Sequence, residues 1–119
     1  MKNTLVFGAS LKPHRYSYAA IRSLMSQDIF TTGFGPVNGK IHGAVISDNI
    51  PENEVFHTIT LYMGAERQKA YYQKIINLNP QRIIFNPGTE NPDFYKVLEE
   101  NSIMYEVACT LTLLATGQY

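Results

Sequence analysis

The stretch FGASLKPHRYSY, residues 7–18, decides how this chain is read. It is entered through Thr4-Leu5-Val6-Phe7, a continuous apolar run of the kind buried on both faces of a parallel sheet. Gly8-Ala9-Ser10 then turns the chain, a loop carrying Lys12, His14 and Arg15 follows, and Tyr18, Ile21, Leu24 and Met25 recur on one helical face. A helix starting near Tyr16 or Ser17 aims its unpaired N–H groups and partial positive charge back at the turn. Arg15 and Lys12 add full charges beside it. In a chain of zero formal net charge, this local basic cluster favours a phosphate-bearing ligand. The same residues also suit a tight strand-to-helix connection with solvated basic side chains.

Working outward, strands and helices mostly alternate. Ile29 to Thr32 reads as a second, β-branched strand, followed by the glycine-rich loop GFGPVNGKIHG. Ile41 to Ile46 adds a short extended segment, and SDNIPENE reads as turn and surface. HTITLYM is the next strand; Tyr72, Ile75 and Ile76 mark a helix that stops before Pro80. RIIF is a short buried strand, and Asn91-Pro92 a helix start with its cap and its first-turn proline, the inner face being Phe94, Val97 and Leu98. IMYEVAC is the last strand and TLTLLATGQY a short terminal helix, apolar on most sides and expected to be buried. Five strands in this order give an α/β sheet with crossover helices. Ligands of such sheets bind at the carboxyl ends of the strands, where strand order reverses.

Composition bounds the rest. With 119 residues the chain is one domain, residues 1–119, and 45% hydrophobic against 17% charged residues is an ordinary globular balance. Zero net charge without a basic patch argues against nucleic acid, and the apolar runs are too short to cross a bilayer. The first residues lead directly into a strand, leaving no room for a leader peptide, and the lone Cys109 permits no internal disulfide, so a cytoplasmic setting is expected. The dinucleotide fingerprint needs three spaced glycines and an acidic residue ending the second strand. The first turn has a single glycine and Thr31-Thr32-Gly33-Phe34 no carboxylate, which disfavours NAD. The glycine–lysine phosphate loop of ATPases is absent as well.

Together, GAS…P…RYSY, TLYM, RIIFNPGTEN and EVACTLTLLATGQY resemble the small stand-alone coenzyme A-binding proteins, related to the coenzyme A-binding domain of succinyl-CoA synthetase. The resemblance runs over nearly the whole chain. It implies a Rossmann-like, open, mainly parallel five-stranded sheet with helices on both faces, with coenzyme A or an acyl-CoA across the carboxyl ends of the strands. Gly8, Ala9, Ser10 and the helix start Arg15-Tyr16-Ser17 would then cradle phosphates, Arg15 pairing through its planar fork. Gly33 and Phe34 would meet the nucleotide end, with Lys40 the candidate for its 3′-phosphate. Tyr62, at a strand's carboxyl end, is the one tyrosine expected near the ligand.

The NPGTE loop adds Asn86, Pro87, Gly88, Thr89 and Glu90. Glu90 would repel phosphate, so this loop is expected to meet a hydroxyl, an amide or an adenine amino group. Turn chemistry alone would also account for it, with Glu90 merely favouring the next helix start. Cys109 stands before the last helix, where a thiol can be activated, but its apolar surroundings read as a buried, inert side chain. His14, His42 and His57 show no metal-ligand spacing, and Tyr71-Tyr72 reads as helix-face packing. With no complete catalytic constellation, the expected function is a binding module for a small nucleotide ligand, working with a partner enzyme or as a homodimer. The rival is a small oxidoreductase or acyl-transfer enzyme using the same cleft, with Cys109 or Glu90 reacting. A third reading is a domain that keeps the fold and acts through protein contacts alone.

Overall fold

Leu5, Val6 and Phe7 are wholly buried because their strand, β1 (Thr4–Phe7), lies at the centre of the sheet. The structure is a computed structural model describing residues 1–119. After β1 come α1 (Tyr16–Ser26), β2 (Thr31–Phe34), β3 (Gly39–Ile41), β4 (Ala44–Ser47) and β5 (Thr58–Leu61). A broken helical block follows: α2 (Ala65–Gln68), a 3₁₀ turn at Lys69–Tyr71, and α3 (Tyr72–Asn77). β6 (Arg82–Phe85), α4 (Pro92–Glu100), β7 (Met104–Val107) and α5 (Thr110–Ala115) complete the chain.

The sheet has seven strands in the order β3-β4-β2-β1-β5-β6-β7, two more than the sequence reading expects. All neighbours run parallel except β3, which is antiparallel to β4. The extra strands come from Gly39–Ser47. There His42 and Gly43, both at positive φ (47° and 89°), form a two-residue turn that splits one expected extended segment into a hairpin. β2 begins two residues later than its β-branched run suggests, because Thr31 to Phe34 pair residue for residue with Thr4 to Phe7.

Side-chain alternation along the central strands feeds two cores. Leu5, Phe7, Ile59, Leu61, Ile83 and Phe85 pack against Ile75, Phe94 and Leu98 on one face. Val6 and Ile46 pack against Ile21, Leu24 and Leu114 on the other, making three layers. Asn91 caps α4 as its sequence promises, its side-chain oxygen accepting from the Phe94 N–H at 3.2 Å. α5 is less buried than expected: Thr110 and Leu114 face inward, whereas Thr112, Ala115 and Thr116 are exposed. No helix is long and apolar enough to cross a membrane.

Candidate functional site

The chain builds outward from β1 in one direction through β2 and β4, then resumes on its other side with β5, β6 and β7. At this reversal the loops after β1 and β5 part, and a cleft of about 810 Å³ opens above the carboxyl ends of the strands. It is lined by the first loop, by Phe34 to Val37 and Asp48 beyond β2 and β4, by Tyr62, Met63, Gly64 and Arg67 beyond β5, by Tyr71, and by Pro87 to Thr89.

The first loop is held by its own backbone. Gly8, at φ 99°, and Ala9 both donate their N–H groups to the Phe34 carbonyl, at 2.9 and 2.8 Å. The Ser10 N–H donates to Ser17 Oγ at 3.1 Å, and the Lys12 N–H to Ser10 Oγ at 3.1 Å. Gly35 makes this closeness feasible, since a Cβ there would overlap the Ala9 carbonyl oxygen. The amides of Gly8, Ala9 and Ser10, expected from the sequence to cradle phosphate, are therefore already paired. The free donors are the first-turn N–H groups of Tyr16, Ser17 and Tyr18, which a helix leaves without intrahelical partners and which no side chain caps here. The loop's role is to place that helix start at the cleft.

Three buried side-chain amides, Gln68, Asn91 and Asn86, join the remaining loops. Gln68 is wholly buried; its Nε2 donates to the carbonyls of Met63 (2.8 Å) and Thr89 (2.9 Å), tying the β5 loop to the β6 loop. Asn91 Nδ2 donates in turn to Gln68 Oε1 at 2.9 Å and to the Tyr72 hydroxyl at 2.8 Å. Asn86 Nδ2 donates to Thr60 Oγ1 (2.6 Å) and the Leu61 carbonyl (2.8 Å), while its Oδ1 accepts from the Thr110 N–H (2.8 Å). The sequence reading has no Gln68, because a lone glutamine in a polar run carries no periodic signal.

Charge is distributed unevenly around the cleft. Lys12, Arg15 and Arg67 line it, all exposed. The only ion pairs in the molecule are Lys69–Glu66 and Arg82–Glu106, so none of these three cations is neutralised. Asp48 is the one carboxylate lining the cleft. A chain with this cleft invites comparison with known families, and a family model described as "CoA binding domain" matches residues 2–115. The chain belongs to the CoA-binding domain family.

No curated protein matches the chain. Among solved structures, one described as an uncharacterized protein is 38% identical, with a TM-score of 0.94 over 100% of this chain and 98% of its own. A Thermus thermophilus protein is 20% identical with a TM-score of 0.88, over 99% of this chain and 90% of its own. A hypothetical protein from Pyrococcus horikoshii OT3 is 20% identical with a TM-score of 0.81, over 93% and 80%. The last two speak for the fold alone.

Most residues singled out from the sequence converge on the cleft of this CoA-binding domain: Gly8, Ala9, Ser10, Arg15, Tyr16, Ser17, Phe34, Tyr62, Pro87, Gly88 and Thr89 all line it. Four do not. Gly33 lies inside β2, where a Cβ would meet Ala9 Cβ at 3.0 Å, so its place is a packing requirement. Lys40 stands exposed on the outer strand β3 and takes no part in the cleft. Asn86 is the buried hub described above. Glu90 folds back to accept the Gly88 N–H at 2.9 Å, closing the turn.

Tyr62 is largely buried, and that desolvation pushes its phenol far above the ordinary value, so it meets the cleft as a neutral hydroxyl-bearing ring. Tyr71 does more than pack: its ring sits edge-on to Phe7 and Phe34 and also lines the cleft. Tyr72 packs as expected, stacked on Phe94. Cys109 is half-buried rather than sealed. A hydrogen bond with the Thr112 hydroxyl lowers its thiol pKa despite some opposing desolvation, yet it does not line the cleft.

Proposed function

We propose that this domain binds coenzyme A or an acyl-CoA across the carboxyl ends of β1, β2, β4, β5 and β6, as a module that holds its ligand without transforming it. One observation carries the reading: Lys12, Arg15 and Arg67, none of them ion-paired, surround a cleft into which the first turn of α1 directs its free amides. Backbone N–H groups at a helix start, reinforced by guanidinium groups, suit a diphosphate. Membership of the CoA-binding domain family supports the same ligand. Phe34 and Tyr71 offer ring edges and faces for a base or an apolar arm, and Tyr62 adds a neutral wall that does not repel anionic groups.

The side chains the rival enzyme reading would use, Cys109 and Glu90, both stand outside the cleft lining, which supports a module over a small oxidoreductase or acyl-transfer enzyme. Chemistry on a held acyl-CoA would then come from a partner protein.

Titration calorimetry with coenzyme A tests this directly, with ADP and NAD as comparisons. Arg15→Ala should weaken binding about 10- to 150-fold, or ~1.5–3 kcal/mol, the range for a lost charge-assisted hydrogen bond. An affinity unchanged by that substitution sinks the diphosphate role of Arg15. Absence of binding to all three ligands sinks the reading as a whole.

A further inference from the structure

Between Met63 and Ile75 only one residue of the chain is fully buried, and it is Gln68. This segment holds α2, the 3₁₀ turn and the start of α3, and it supplies Arg67 and Tyr71 to the cleft lining. A four-residue helix does not hold its own shape in water, because the unfavourable nucleation step outweighs its few hydrogen bonds. Packing has to fix it, yet Gln68 is the single buried side chain of α2. The anchor of this short helix is therefore polar, and burying a polar anchor is unfavourable unless its hydrogen bonds are made.

They are made, and all of them lead to the rim of the cleft. Gln68 Nε2 donates to the Met63 carbonyl at 2.8 Å and to the Thr89 carbonyl at 2.9 Å, and both of these residues line the cleft. No other group of the chain donates to either carbonyl. Gln68 Oε1 accepts from Asn91 Nδ2 at 2.9 Å, which settles which end of the amide faces the two carbonyls. Asn91 is held in turn, its Oδ1 accepting from the Phe94 N–H at 3.2 Å as the cap of α4. One side chain thus ties α2 to the loop before it, to the loop after β6 and, through Asn91, to the start of α4. Arg67, the residue directly before Gln68, is exposed and enters no ion pair, so the backbone of α2 sets where it stands.

Resting on the coenzyme A reading above, we infer that Gln68 is a positioning residue for the diphosphate: it stands behind the cleft lining and sets affinity by holding Arg67 at the cleft. A guanidinium carried on a loose backbone has to be ordered when the ligand binds, and that ordering opposes association. The fixed amide orders α2 beforehand. An apolar side chain of similar size would fill the space, but it would leave the Met63 and Thr89 carbonyls without a donor and release α2 from the β6 loop.

The test is a double-mutant cycle on coenzyme A affinity, measured by titration calorimetry on the wild type, Gln68→Met, Arg67→Ala and the double variant, well below their melting temperatures. Arg67→Ala should weaken binding about tenfold or more. Gln68→Met should weaken it about five- to tenfold in the wild-type background and less than about twofold once Arg67 is gone. Its melting temperature should fall by the same amount in both backgrounds, so a purely structural loss would be equal in the two. The same cycle with Gln68→Glu, which keeps the shape and the acceptor oxygen, decides the matter if Gln68→Met does not fold. An affinity unchanged by the Gln68 substitution, or weakened by one factor in both backgrounds, overturns the inference and leaves the coenzyme A reading intact. Failure of the wild type to bind coenzyme A removes that reading, and the inference with it.

Discussion

The two ends of the same sheet treat charge in opposite ways. At the amino ends, Thr4, Thr58 and Arg82 share one register row. Arg82 Nε donates to Thr58 Oγ1 at 2.9 Å, its Nη1 meets Glu106 at 3.3 Å, and its guanidinium lies 4.5 Å from the centre of the Tyr119 ring. The Tyr119 hydroxyl bonds to Thr4 Oγ1 and Lys2 Nζ to the Tyr119 carbonyl, so the last residue is tied to the first strand. At the carboxyl ends, Lys12, Arg15 and Arg67 have no such partners. Arginines of one chain thus stand in two conditions: Arg82 is engaged through Nε and Nη1, although its buried Nη2 has no hydrogen-bond partner, and the cleft arginines are available. Engaged charge holds strands together; available charge around a cleft is free to meet a ligand.

Asn86 gives the largest effect expected and shows that pairing, rather than which end of the sheet a residue occupies, decides its role. It stands at the carboxyl end yet all of its polar capacity described above is spent on Thr60, Leu61 and Thr110. Asn86→Ala leaves the Leu61 carbonyl and the Thr110 N–H buried with one partner fewer. At about 1–3 kcal/mol for each orphaned group, the loss should be about 4 kcal/mol in denaturant unfolding. A loss under about 1 kcal/mol would mean that the hub is replaceable by water, and the contrast between spent and available groups would weaken.

Arg82 and Arg15 sharpen the comparison as a pair. Arg82→Met should lower stability by about 2 kcal/mol, through lost bonds to Thr58 and Glu106 and the lost stacking on Tyr119, while leaving coenzyme A affinity unchanged. Arg15→Ala should do the reverse, with stability within about 0.5 kcal/mol of wild type, as for exposed positions generally. If both substitutions moved stability alike and left binding alone, the division between the two ends would fail.

The parts of this arrangement legible in the sequence are those that rest on local signals. The apolar run Thr4–Phe7, the turn at Gly8 and the cap-and-proline start at Asn91-Pro92 each state their structure within a few residues. The parts that were not legible depend on partners distant in sequence. The β-branched run Ile29 to Thr32 announces β2, but its bounds do not show there: pairing with β1 and β4 carries the strand on through Gly33 to Phe34. Gly35 looks like one glycine among several until the Ala9 carbonyl is found against it. Asp48 sits in a polar stretch that reads as surface, and only the pairing of β4 with β2 brings it to the cleft. Arg67 is hidden similarly, in a four-residue helix too short to announce itself. Lys40, expected at the nucleotide end from its place in the glycine-rich loop, is carried by the hairpin onto β3, outside the cleft lining.

The smallest effect belongs to His57, and it separates the two ends by pH. Desolvation, and then the positive charges of Arg82 and Lys2, lower its pKa below the ordinary histidine value of about 6.5. Geometry agrees: His57 Nδ1 lies 2.7 Å from Thr58 Oγ1, which already accepts from Arg82 Nε, so the neutral ring receives the threonine proton. A protonated ring would place a second donor and a second positive charge there. Below pH 6.5 the unfolded chain takes up a proton that the folded one resists, so the unfolded state binds more protons and stability falls as pH falls. This contribution is complete above about pH 6.5 and is lost as pH drops from there through the folded-state pKa. Unfolding midpoints measured at pH 7.5 and 5.5 should therefore differ more for the wild type than for His57→Asn. Equal pH sensitivity in the two proteins would show that the amino-end cluster accommodates the extra charge, and that its tight pairing is less demanding than the hydrogen bonds around Thr58 imply.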